Sequence, residues 1–483
     1  MSQKVPGGNR AAQPSHGAET SPGMGNDVDK AAFRGICQTL QRCRCNTMPT
    51  LEAFDAVRSH SMSRIHNNAS TTQPIQPSEA FSADSICLAR GRSTSDGDPL
   101  VGPIAQSTTF CRSGVGTNPE HQYSRVSNPS VAALEELLGN LEDALPAACF
   151  GTGLAAESAL FLALLKSGDH VVCARGVYGG TTRLLQQLLN ELGIETTFVD
   201  ATNTDEIRAA VQSNTKLLFI ETPANPTLGI TDIAACSTIA KEAAALLAVD
   251  NTFLTPILQR PLDHGADISV YSTTKFIDGH SVALGGALVT NDQTILDRIR
   301  FIRKCTGAIQ SPFNAWLTLN GLKTLPLRIR AQSTTATTIA NWLAENQDIQ
   351  SVFHPALAQG QAKAIADRQH IGLHGAVVSF EIKGDYQAAC RFVEALNLCT
   401  LVEHVGSVET LITHPASMTH ADVPRDQRQA VGISDTLLRL SVGLETTDEI
   451  IADIQQALQA ANAHTAEASA EPTAESCREV ANV

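Results

Sequence analysis

The chain has 483 residues, 43% of them hydrophobic, and a formal net charge of -14 with 49 Asp and Glu against 35 Lys and Arg. That length and apolar content bury a large core and suit more than one folding unit, while the acidic balance excludes a protein built to neutralise nucleic-acid phosphates with clustered Lys and Arg. No stretch offers the roughly 20 predominantly apolar residues of a membrane span, and no charged segment leads into an apolar run and cleavage site, so a cytoplasmic small-molecule enzyme or protein-binding module is expected, with no nucleic-acid or membrane partner.

Residues 1–80 are rich in Ser, Gly, Pro, Asn and Gln without a sustained period. They read as a disordered or weakly ordered extension, with at most a short helix around Leu51–Val57. Cys37, Cys43 and Cys45 cluster there, but no second pair or histidine stands at ligand spacing, so no metal site is expected. The region 81–145 reads as an arm followed by a helix over Val131–Leu141, with apolar residues on one face and Glu135 and Glu136 on the other. From 146 to 310, β-branched or apolar runs alternate with helical patterns. Strands are predicted at Ala147–Phe150, His170–Ala174, Glu195–Val199, Leu217–Glu221, Leu246–Val249, Ile268–Tyr271 and Gly286–Thr290, with a helix over Thr181–Leu192 among the intervening segments. Such alternation predicts a mostly parallel sheet covered on both faces. A smaller α/β domain is expected over 311–462, helical from Trp316 to about Asn346 and then carrying strands at Ala376–Glu381 and Leu437–Val442. Residues 463–483 read as a disordered tail dominated by Ala, Glu, Ser and Thr.

In open parallel sheets the ligand sits beyond the carboxyl ends of the strands, and several polar residues fall there. Lys275 follows Ile268–Tyr271; it is either a poorly solvated amine of lowered pKa, suited to forming a Schiff base, or a lysine that snorkels to the surface. Asp250 ends another strand and either pairs with a pyridinium N–H or caps the turn Asp250-Asn251-Thr252. Gly151-Thr152-Gly153-Leu154 ends a strand and opens an apolar helix, a natural phosphate seat. A bare Gly-x-Gly is weak evidence, and a nicotinamide dehydrogenase is the runner-up from these residues. It is disfavoured because no βαβ unit precedes the turn and Ala174 and Arg175, rather than an acid, end the next strand. Tyr123 and Arg125 either clasp a phosphate or pack a loop, and Tyr178 either stacks on a planar cofactor or packs on the surface. Arg439, inside an apolar strand, needs a partner: a substrate carboxylate or an internal acid.

Taken in order, Tyr-Ser-Arg at 123–125, Tyr-Gly-Gly at 178–180, Glu-Thr-Pro-Ala-Asn-Pro at 221–226, Val-Asp-Asn-Thr-Phe at 249–253, Ser272 to Lys275, His-Pro-Ala-Ser-Met-Thr-His at 414–420 and Leu-Arg-Leu-Ser-Val-Gly-Leu-Glu at 438–445 resemble the Cys/Met-metabolism enzymes that use pyridoxal 5'-phosphate (PLP), the family of cystathionine gamma-synthase and cystathionine gamma-lyase. The resemblance implies PLP fold type I, aspartate-aminotransferase-like. It implies Lys275 as the residue that carries PLP, Asp250 and Thr252 beside the ring, a stacking and catalytic Tyr178, and Asn225 near the ring hydroxyl. Gly153, Leu154, Ser272 and Thr274 would hold the phosphate, with Tyr123 and Arg125 reaching in from a neighbouring subunit. A homodimer is then the active unit and a homotetramer the expected assembly. Arg439 would bind the substrate α-carboxylate and Glu403 the distal ammonium of cysteine or cystathionine.

The expected reaction is γ-replacement on an O-acylated homoserine by cysteine, that is, cystathionine synthesis within methionine biosynthesis. The alternatives are cystathionine γ-cleavage in transsulfuration, then O-acylhomoserine sulfhydrylation or methionine γ-cleavage; a non-catalytic PLP-binding subunit stands as a different class. Four departures from the family pattern bear on substrate choice: Gln122 where an acid is usual, Ser127 for a glycine, Phe276 for a tyrosine and His404 for a serine.

Overall fold

The computed structural model describes residues 81–89, 96–421 and 425–468. The expectations for residues 1–80, including the Leu51–Val57 helix and Cys37, Cys43 and Cys45, lie outside the described residues. The chain divides into two units between Ile75 and Gln76, and every described residue belongs to the second.

Seven strands form the larger sheet: β1 (Ala148–Phe150), β2 (His170–Ala174), β3 (Glu195–Val199), β4 (Thr215–Glu221), β5 (Leu246–Asp250), β6 (Ile268–Tyr271) and β7 (Gly286–Val289). They lie in the order β1-β7-β6-β5-β4-β2-β3. Strands β3, β2, β4, β5 and β6 run parallel, and β7 runs antiparallel to both β6 and β1. β2 is buried at every residue and β5 at all but its first, as expected of strands with helices over both faces. Alternation sorts the side chains: Phe150, Val270 and Leu288 join one core, while Cys149, Tyr271 and Ala287 join the other on the opposite face.

The helix Pro129–Leu141 starts where Asn128 Oδ1 accepts from Ser130 N (2.9 Å) with Pro129 at the first helical position. Leu134, Leu137, Leu138 and Leu141 face the core. The expected polar face holds only in part, since Glu136 is exposed but Glu135 is buried. Glu135 accepts from Cys149 N (2.9 Å) and pairs with Arg303, which donates to Cys149 O (2.8 Å). The element expected as one helix over 181–192 is helical over Gly179–Arg183 and widens to a π-helix over Leu184–Leu189.

The second sheet contains β8 (Ile349–Phe353), β9 (Val377–Ile382), β10 (Thr400–Leu401), β11 (Leu411–Thr413) and β12 (Leu437–Ser441), ordered β10-β11-β12-β9-β8 and antiparallel except at β10–β11. The 21-residue helix Leu325–Glu345 ties the two sheets together. Leu325 and Ile329 pack into a core of the larger sheet, whereas Ala336, Ile339, Ala340 and Leu343 pack into that of the smaller. The tail expected from residue 463 is corrected at its start: the helix Thr447–Ala468 runs through it, because Ala- and Glu-rich sequence favours helix once its first turns are docked. No described helix is long and apolar enough to cross a membrane.

Candidate active site

Parallel register brings the ends of β4 and β5 together, with Glu221 opposite Asp250 and Asp250 opposite Val270 of β6. Two side chains at these ends, Glu221 and Asp250, are buried acids. Asp250 Oδ1 accepts from Thr252 N (2.9 Å), Thr252 Oγ1 in turn accepts from Ser272 N (2.8 Å), and Glu221 Oε2 accepts from Tyr178 N (2.8 Å). Burial pushes the Asp250 carboxyl up against the pull of Thr252. Burial, then the charge of Asp250, holds Glu221 well above the usual carboxylate range. Among the described residues no cation pairs with Asp250 within 4.0 Å.

Lys275 sits in the turn after β6, where its N–H donates to Ser272 O (3.2 Å) and its carbonyl accepts from Gly279 N (2.8 Å). Its amine is lowered to about 8, first by burial and then by Arg439. Thr274 Oγ1 bonds the backbone of Gly285 at 3.1 Å and 2.9 Å, fixing this turn to the start of β7. Across from Ser272 the helix Gly153–Leu164 begins, capped by Thr152 Oγ1 accepting from Ala155 N (3.0 Å). A Cβ at Gly153 would stand 3.0 Å from both Cβ and Oγ of Ser272, so a larger residue there would press the Ser272 side chain away from the helix start. The first-turn N–H groups of Gly153 and Leu154 have no partner within the helix.

Arg439 on β12 is 3% exposed. Its Nη1 donates to Asn225 Oδ1 (2.8 Å), and its Nη2 to His404 O (3.1 Å) and Thr413 Oγ1 (3.1 Å). Its Nε is buried without a partner. Burial lowers the guanidinium to about 10 against the raising influence of Glu221, Tyr178 and Glu403, yet among the described residues no acid lies within 4.0 Å of it. The internal ion pair that was one reading of Arg439 is therefore not made. Glu403 is exposed beside it.

The remaining expected residues divide. Tyr178 is close to Arg439, and its ring closes over Gly180, where a Cβ would collide with Tyr178 Cε1. Tyr123 and Arg125 stay outside the cluster. Arg125 lies 5.4 Å from the Tyr123 ring centroid and donates to Lys304 O (2.8 Å). Two site residues escaped sequence reasoning. Glu157, one turn into the helix after Gly153, is buried, accepts from Thr181 Oγ1 (2.7 Å), and is raised to about 8 by burial and then by Asp250; a lone acid in an apolar helix was its signal. His404, noted only as a departure from a pattern, places Nδ1 3.2 Å from Lys275 Nζ.

The chain as a whole has close relatives. A family model described as Cys/Met metabolism PLP-dependent enzyme matches residues 84–459. Cystathionine gamma-lyase of Bacillus subtilis (strain 168) is 42% identical over 357 residues, covering 74% of this chain and 93% of the relative. Cystathionine beta-lyase of Lactococcus lactis subsp. cremoris (strain MG1363) is equally similar, 42% over 357 residues with 74% and 93% covered. Among solved structures, cystathionine gamma synthase from Xanthomonas oryzae pv. oryzae, in complex with cystathionine, superposes with a TM-score of 0.77 at 39% identity over 80% of this chain and 99% of that one. With a match of this extent, a lysine and a buried acid at strand ends and a buried arginine without an acid partner inside β12, the chain belongs to the Cys/Met metabolism PLP-dependent enzyme family.

Proposed function

We propose that this enzyme makes cystathionine, joining cysteine to the γ-carbon of an O-acylated homoserine. The observation that carries the reading is Arg439, a buried guanidinium facing Asn225 with no acid partner among the described residues. An amino-acid α-carboxylate supplies the charge and the two acceptor atoms that such a fork takes. The residues present fit pyridoxal 5'-phosphate. Gly153 brings the free N–H groups of a helix start close beside Ser272, where a phosphate is well received, and Asp250 is a buried acid without a cation, matching a protonated ring nitrogen. When bound, the cofactor supplies an electron sink for charge at the substrate α-carbon.

In this reading Lys275 would carry the cofactor, with Tyr178 and Asn225 among the residues that would hold its ring, and Thr252 and Ser272 buttress Asp250. Gly153, Leu154, Ser272 and Thr274 hold its phosphate, completed by Tyr123 and Arg125 of a neighbouring copy in a homodimer that pairs into a tetramer. Arg439 orients the amino acid so that its α-proton faces Lys275. The freed Lys275 amine, with its lowered pKa, takes that proton and is the proton donor and acceptor for the β-carbon as the γ-substituent leaves. Glu403, exposed at the rim, receives the ammonium of the incoming cysteine. Cleavage of cystathionine at the γ-carbon is the second reading, favoured by the identity to the Bacillus subtilis lyase. Incubation with O-succinyl-, O-acetyl- and O-phosphohomoserine, with and without cysteine, and separately with cystathionine, decides between them. Cystathionine accumulating from one ester and cysteine supports synthesis, whereas ammonia and a keto acid from cystathionine alone, with no net synthesis, overturn it.

A further inference from the structure

The loop between β10 and β11 is built against the lysine turn. Gly406 has φ +89°, and a Cβ there would collide with Phe276 N and stand 2.8 Å from the Lys275 carbonyl carbon, so the two backbones touch where only glycine fits. Gly406 N donates to Ser441 Oγ (2.8 Å), and Arg439 holds the His404 carbonyl (3.1 Å). The backbone is thus held on either side of the ring, and the ring places Nδ1 3.2 Å from Lys275 Nζ. Burial, then the charges of Lys275 and Arg439, hold the imidazole down to about 4, against a weaker pull from Glu409. The ring is accordingly neutral where the lysine titrates. A neutral imidazole that accepts at Nδ1 carries its hydrogen on Nε2, and Nε2 is buried without a partner. Unpaired buried polar atoms are uncommon in cores built only for packing.

We propose that His404 is a positioning residue for Lys275, its neutral Nδ1 accepting a hydrogen bond from Nζ, holding the amine in place and setting its proton affinity. The proposal rests on Lys275 being the cofactor lysine. The charges around the pair are Arg439 of β12, which lowers both groups, and Glu409, which acts on the imidazole; Glu403 and Glu221 act on Arg439. None of these changes when His404 is replaced, so the effect of the ring is separable from theirs. The acceptor favours the charged lysine, so its removal without admitting water makes the proton leave at lower pH.

The test is the pH dependence of the rate at which the full-length, cofactor-free protein takes up pyridoxal 5'-phosphate, followed by visible absorption and by reductive trapping at Lys275. Uptake needs the neutral amine, and its midpoint for the unaltered protein is expected at a pH of about 8. His404→Leu, which fills the space without accepting, is expected to move the midpoint down by about one pH unit, the size of one hydrogen bond to a charged group. His404→Gln, whose amide oxygen accepts, is expected to restore it. An unmoved midpoint in His404→Leu, or a His404→Gln midpoint displaced as far as that of His404→Leu, overturns the proposal. Uptake that leaves no label on Lys275 in the unaltered protein overturns instead the assignment of Lys275 on which it rests.

Discussion

A guanidinium taken out of water costs several kcal/mol unless its donors are met, and at Arg439 they are met by neutral groups: Asn225 Oδ1, Thr413 Oγ1 and the His404 carbonyl. The charge itself is uncompensated at contact distance until an anion arrives. Arg439→Ala is therefore expected to lower kcat/KM for every amino-acid substrate by roughly 1.5–3 kcal/mol, about ten- to a hundredfold, with cofactor retained. Steady-state kinetics beside cofactor content checks this, since equal loss of both would mark Arg439 as structural. Glu403 is exposed, so its contribution depends on meeting a charge on the incoming molecule. Glu403→Gln is expected to raise the KM for cysteine or cystathionine about tenfold and to leave any reaction with sulfide unchanged; parallel loss with both nucleophiles would reject its role toward an ammonium. Of these residues, Lys275, Asp250 and Arg439 were legible as charges next to or inside apolar strands, places where a charge needs a reason. The pairing of His404 with Lys275 was not, because 129 residues separate them.

At the scale of elements, the site depends on how β1 and β7 close the larger sheet beside the helix start at Gly153. A Cβ at Gly286 of β7 would collide with Thr152 O, so strand and turn are in backbone contact. β1 is anchored from outside by Glu135 and Arg303, which pair with one another and take the N–H and carbonyl of Cys149. Arg303→Met leaves Glu135 buried without its main partner. It is expected to cost about 3–5 kcal/mol of stability, read as a lower urea midpoint, because breaking a buried pair strands a charge; a midpoint indistinguishable from the unaltered protein's would show that Arg300, 3.7 Å from Glu135, suffices. The strands His170–Ala174, Glu195–Val199 and Ile268–Tyr271 agree with their sequence expectation to the residue; the first and last are buried throughout and so mostly apolar, while Glu195–Val199, buried only at Val199, is marked by its β-branched and aromatic residues. β8, β10 and β11 were not legible: β10 is two exposed residues, β11 is buried but only three residues long, and β8 is buried only at Ile349. Such strands carry no pattern of their own and form because a neighbour offers an edge.

For the whole molecule, the family match begins at residue 84 and the chain divides between Ile75 and Gln76. The described unit begins with the helix Ala83–Ala89, held by Asp84 to Arg330 at 2.6 Å and 2.9 Å and by Cys87 in the core. A chain starting at Gln76 is expected to keep its assembly, cofactor uptake and activity, measured by sedimentation and by rates against the full chain; insolubility or a large loss of rate would assign residues 1–75 a part in folding or catalysis. By itself the sequence determined the alternation of strand and helix, the parallel sheet, the lysine and acid at strand ends and the arginine inside an apolar strand, because these are local: they follow from period, length and the cost of a charge in apolar surroundings. Only the tertiary structure decided that the second sheet is antiparallel but for one pairing, that Glu135 is buried while Glu136 is not, that Arg439 lacks an acid partner, and that His404 meets Lys275. Each of these depends on which distant segment arrives opposite a given side chain, which a one-dimensional pattern does not encode.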